Sequence, residues 1–117
     1  MSRTPRTVLE PKRKLEGLEK ALGVAVVAKI LGIHPRTLER RRSARQELRP
    51  LDAQREEKLT RIWAEGNDIF TPENAVEWLR LPNPALGNRV PLDVMAEDGG
   101  LDRVLLTLGR MSWGIPA

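Results

Sequence analysis

The chain has no cysteine and no tyrosine, one phenylalanine, and a single histidine, His34. Without cysteine there is no disulfide framework and no thiolate metal site. One histidine leaves no histidine metal cluster and no His-based triad within the chain. No apolar run approaches the roughly 18 residues that a membrane span requires. The opening stretch, MSRTPRTVLEPKRK, lacks the apolar core of a secretion signal. The expectation is a cytoplasmic protein with no cofactor, no metal and no catalytic residues. An enzyme would need a pocket with perturbed acid or base groups, and the composition supplies few candidates.

What is present is an uneven charge. Residues 1–50 hold 13 Lys and Arg against 5 Asp and Glu, whereas residues 51–117 hold 7 against 11. A basic half joined to an acidic half suggests two different partners, or a solvated surface whose asymmetry carries no role. At 117 residues there is room for one compact domain or two small helical halves sharing a core.

Residues 1–14 carry two prolines and five basic side chains and read as a flexible basic arm, either a DNA-contacting segment or a tail without a role. Leu15, Leu18 and Leu22 mark one face of a first helix ending near Gly23. Val24 to Leu31 forms a second, apolar at Val24, Val27, Ala28 and Leu31. Gly32 supplies the positive φ of a tight corner, and Pro35 opens a third helix that runs to about Arg45. Ala28 lets the helices approach, and Leu38 points back into the core. This is a helix-turn-helix pattern. Its second helix would present Arg36, Thr37, Arg40, Arg41, Arg42 and Arg45 to DNA, with Arg36 and Arg40, one turn apart, suited to guanine edges. His34 and Thr37 suit phosphate or the groove rim, although His34 by itself also reads as a surface or capping residue. A helical hairpin with a solvated basic face is the plainer alternative.

Asp52 can cap a long helix with Leu59, Ile62 and Trp63 on its apolar stripe, ending where Gly66-Asn67-Asp68 breaks the pattern. Thr71, Pro72 and Glu73 then begin a helix as N-cap, first helical residue and acidic first turn. It stops at Leu79–Arg80, because Pro82 and Pro84 bracket Asn83. Gly87 and Asn88 suit a tight turn, and Pro91 starts the next helix. Leu81, Ala85, Leu86 and Val90 are too apolar for a solvent loop and must pack on the parent domain or on a partner. Asp98-Gly99-Gly100 is a stop. A last helix from Leu101 to about Trp113 buries Leu101, Val104, Leu105, Leu108 and Met111. The apolar ending Trp113-Gly114-Ile115-Pro116-Ala117 fits insertion into a groove, or folds back on the core.

The stretch WLRLPNPALGNRVPLDVM, followed by LDRVLLTLGRMSWGIPA, resembles the C-terminal toxin-binding domain of the Xre/MbcA/ParS antitoxins. LGIHPRTLERRR is similar to that family's N-terminal half, so the resemblance runs from about Val24 to Ala117. It implies an all-α protein of about seven helices, with an Xre-like helix-turn-helix half (residues 15–68) packed with a small helical toxin-binding half (residues 69–117). It further implies an antitoxin that binds operator DNA, represses its own operon, and occludes the active site of a RES-domain toxin that consumes NAD. Carried over by position, the toxin-binding residues are Asn83, Pro84, Leu86, Arg89, Arg110, Trp113, Gly114 and Ile115, and the apolar Leu81 of the loop and Ala117 of the tail are expected to join them. Gly87 and Pro91 also match the motif and shape the loop. The chain departs from the family where two glycines often precede the arginine, here Gly87-Asn88-Arg89. It also departs in the run Ala96-Glu97-Asp98-Gly99 and in its last residues. A homodimer within a larger toxin–antitoxin assembly is expected, since helix-turn-helix proteins usually read two half-sites about 34 Å apart. The alternative is a stand-alone helix-turn-helix regulator or partition-type adaptor whose C-terminal half only dimerises.

Overall fold

The structure, a computed structural model, describes residues 9–44 and 50–114, with side chains over 16–40 and 53–114. Seven α-helices follow one another among them: α1 (Leu9–Leu22), α2 (Val24–Leu31), α3 (Pro35–Ala44), α4 (Pro50–Ile69), α5 (Pro72–Arg80), α6 (Pro91–Met95) and α7 (Gly100–Ser112). A 3₁₀ turn at Pro84–Leu86 lies between α5 and α6. The described residues contain no strand, and the all-α expectation holds.

The first corner is built as its residue types dictate. Gly23, at φ 94°, separates α1 from α2. Gly32, at φ 75°, ends α2, and its N–H reaches back to Ala28 and Lys29 carbonyls. Ala28 is fully buried and Leu38 of α3 is buried beside it, as a steep helix crossing over a short turn requires. Thr71 caps α5 by accepting from the Asn74 N–H at 3.2 Å. Pro72 occupies the first helical position, where a missing N–H costs nothing.

Three boundaries differ from the sequence expectation. The first helix begins at Leu9, inside the stretch read as a basic arm, while residues 1–8 lie outside the described residues. Pro11 falls in its first turn, where proline is tolerated. α4 begins at Pro50, so Asp52 sits within its first turn rather than at its cap. And α4 does not break at Gly66-Asn67-Asp68 but runs on to Ile69. There Gly66 is buried against Ala75 of α5, Asn67 donates to the Trp63 carbonyl at 2.7 Å, and Phe70 stacks on Trp78 at 6.2 Å between centroids. Packing of α5 on this end overrides the weak helix propensity of the three residues.

α4 is the spine. It packs on α1, α2, α5 and α7. One continuous core joins Leu18 and Leu22 of α1, Val27, Ile30 and Leu31 of α2, Leu59 and Ile62 of α4, Leu79 of α5, and Val94, Met95, Leu101, Val104 and Leu108 beyond. The core crosses residue 68 without interruption, so the two halves share one interior.

Candidate functional site

The loop after α5 is organised by Asn83. This residue is buried, although the sequence suggested it for partner contact. Its side-chain Oδ1 accepts from the Ala85 N–H at 2.8 Å. Its backbone N–H donates to the Arg89 carbonyl at 3.0 Å, and its carbonyl accepts from Leu86 and Asn88, each at 2.9 Å. Gly87 and Asn88 take successive left-handed conformations, φ 69° and 61°, which reverse the chain so that Asn83 and Arg89 pair. Leu86 plugs the core. Pro84, Ala85 and Gly87 stay exposed, and so does Leu81, at 52% of its surface. The loop is thus a rigid platform held from beneath by Asn83 and Leu86, with Leu81 and Pro84 on its open side.

Arg89 projects from this platform and grips Glu97, just beyond α6. Its Nη1 donates to Oε1 at 2.8 Å, and its Nη2 donates to Oε2. The hydrogen bonds from Arg89 hold the Glu97 carboxyl below its ordinary range, and Glu97 in turn raises the Arg89 guanidinium. Arg89 therefore closes the loop onto the α6–α7 segment.

α7 has two faces. Leu101, Val104, Thr107 and Leu108 are buried. Arg103, Leu106, Arg110 and Trp113 recur at steps of three and four on the exposed side. Leu106 is 59% exposed and Trp113 86%. Among the described residues neither Arg103 nor Arg110 has a salt bridge within 4 Å, although the charge of Arg103 helps to lower the Glu97 carboxyl. Gly114 follows at φ 79°, and Ile115 and Ala117 lie outside the described residues. The expected contacts Arg110, Trp113 and Gly114 thus share one end of one helix, remote in sequence from the loop. Arg103 and Leu106 were missed. The signal was there, since Leu106 falls opposite the stripe formed by Leu101, Val104, Leu105 and Leu108.

At the other end of the chain, Arg36 and Arg40 are exposed on α3 and Thr37 is half-buried. Arg41 and Arg42 lie on the same helix, with side chains outside the described set, and Arg45 lies outside the described residues. His34 serves as the cap of α3: its Nδ1 accepts from the Arg36 N–H at 3.1 Å.

Residues 58–114 match the family described as the antitoxin Xre/MbcA/ParS C-terminal toxin-binding domain. That span holds the Asn83 loop, the Arg89–Glu97 clamp and the whole of α7. That match, covering just under half of the chain, supports an antitoxin of the Xre/MbcA/ParS type. The antitoxin is also similar to a chain of the M. tuberculosis MbcT–MbcA toxin–antitoxin complex, with 26% identity and a TM-score of 0.73 over 96% of this chain and 100% of that one. No curated protein sequence matches it. The family match begins within α4, so the likeness of the helix-turn-helix half rests on the structural comparison.

Proposed function

We propose that this antitoxin neutralises a RES-domain toxin that consumes NAD, by covering the entrance to the toxin's active site. We further propose that it represses its own operon by binding operator DNA through α3, as a homodimer in the cytoplasm. The observation that carries the first part is Trp113: a tryptophan 86% exposed at the end of α7, on one stripe with an exposed leucine and two exposed arginines. A large uncovered aromatic beside arginine is the composition of an interface anchor. In this reading Leu81, Pro84, Arg110, Trp113, Gly114, Ile115 and Ala117 touch the toxin. Asn83 and Leu86 hold the loop that presents Leu81, and Arg89 acts through its clamp on Glu97. Occlusion asks for no bond-making by the antitoxin, which acts without catalysis.

Support for the second part is α3. Arg36 and Arg40 are exposed one turn apart on this helix, a spacing suited to arginines that reach guanine edges. The test of the whole is NAD consumption by the toxin encoded beside this chain, measured with and without equimolar antitoxin. Suppression of NAD loss is expected. A toxin that leaves NAD untouched, or a rate that the antitoxin does not alter, would make the stand-alone DNA-binding regulator the better reading.

A further inference from the structure

We propose that Arg55, on α4, is a positioning residue for the DNA-reading helix: it clamps the α2–α3 corner from the C-terminal half and is itself oriented by Asp98. This role rests on the reading of α3 as a DNA-binding helix.

Leu31 is the last residue of α2, and its carbonyl has no helical N–H to accept from. Arg55 Nη1 donates to that carbonyl at 3.2 Å, across 24 residues of sequence and in a partly buried setting. The guanidinium also lies against Gly32, so closely that a Cβ there would come within 2.4 Å of Nη1. A cation at this place suits the negative end of a helix. Arg55 Nη2 meanwhile stands 4.0 Å from the Asp98 carboxylate, in the segment joining α6 to α7.

The surroundings show where the clamp acts. A cleft of about 220 Å³ opens between α2, α4 and the α6–α7 segment, lined by Ile30, Arg55, Met95 and Leu101 among others. Beside that cleft Arg55 bridges α4 to the end of α2. A directional, charge-assisted hydrogen bond thus adds to the buried core and the Gly32 turn in setting how α2 ends. Two residues beyond Gly32, His34 caps α3, so the angle at this corner sets where Arg36 and Arg40 point. Asp98 directly follows Glu97, which holds Arg89 of the proposed toxin-facing loop. One short segment thus touches both the loop and the corner clamp.

The test uses the purified full chain and duplexes carrying either its own promoter or an unrelated sequence. Arg55→Met should lower promoter affinity roughly tenfold, leave affinity for the unrelated duplex nearly unchanged, and leave toxin inhibition intact. It should also speed backbone hydrogen exchange at the Ile33 amide, which donates to the Ala28 carbonyl in the corner. Arg55→Lys, which keeps the charge and a donor, should restore most of the promoter affinity. Asp98→Asn should fall between wild type and Arg55→Met. If wild type prefers its promoter and Arg55→Met binds it equally well with unchanged Ile33 exchange, this role is overturned alone. A wild-type chain with no promoter preference removes the DNA-reading function and this role with it.

Discussion

Gly100 is where two backbones meet. A Cβ at this position would lie 1.6 Å from the Val94 carbonyl oxygen, and 2.6 Å from its carbon. Neither is the movable end of a side chain, so nothing can step aside. Gly100→Ala should therefore destabilise the fold by about 3 kcal/mol or more. Urea unfolding measures it, and a midpoint equal to wild type would mean that α6 and α7 can separate freely. Glu97 makes a different kind of contribution, one that depends on pH. Its carboxyl is held below the ordinary value of 4.5, chiefly by hydrogen bonds from Arg89. A lowered native pKa gives stability that is fully present above the unfolded value and fades as pH falls through the native one. The clamp should thus act undiminished at neutral pH and weaken as pH drops below about 4.5. The pair is exposed, so the effect is small and screened by salt. Comparing pH–stability curves of wild type and Glu97→Gln isolates it: the two should converge in acid and part above it. Parallel curves would show that the clamp adds no stability.

Elements were legible from the sequence wherever one residue has one local role. Thr71 and Pro72 announce α5, Gly32 and Pro35 announce the corner, and Pro82, Asn83 and Pro84 announce a rigid loop; all form as read. Legibility failed where a distant element decides. Gly66-Asn67-Asp68 has the composition of a stop, yet α5 packs against it and the helix continues. Asn83 has the composition of a polar contact, yet the turn folds around it. Arg55 looks like one more charge on a polar helix face, and only the fold brings it to Leu31. The outer face of α7 yields a prediction at this scale. Gly109 lies inside the helix with nothing within 4 Å of where its Cβ would sit. Alanine there should stabilise the helix by about 1 kcal/mol, through the smaller loss of backbone freedom. Thermal unfolding should rise by roughly 4–8 °C. Gly109 is also flanked by the stripe of Leu106, Arg110 and Trp113, so the added methyl should weaken toxin inhibition while the fold gains. Higher stability with unaltered inhibition would place the partner away from this strip.

The molecule as a whole carries two exposed surfaces on one interior. Residues 1–50 have a formal net charge of +8 and residues 51–117 of −4, yet the core runs through both without a seam. A shared core makes stability common property, whereas the two surfaces remain separable. Arg36 and Arg40 project from α3, and Trp113 from the end of α7; all are exposed, and none supports the core. Replacing Arg36 and Arg40 together by alanine should weaken promoter binding at least tenfold, since a good arginine–guanine pair contributes about 1–3 kcal/mol. Toxin inhibition should survive, because the surface at α7 is untouched. Removing residues 113–117 should do the reverse. Trp113 is the large anchor on that surface, and truncating such a residue commonly costs 2 kcal/mol or more, roughly a thirtyfold loss of affinity. Salt separates the two further. Promoter affinity should fall by about 0.9 log units per log unit of salt for each phosphate contact, whereas an apolar anchor is much less screened. The decisive measurement is therefore a matched pair of titrations, promoter DNA and toxin, for both variants at two salt concentrations. Loss of both activities in either variant would mean that α3 and the end of α7 serve one partner together, and the division between a DNA-reading half and a toxin-binding half would have to be abandoned.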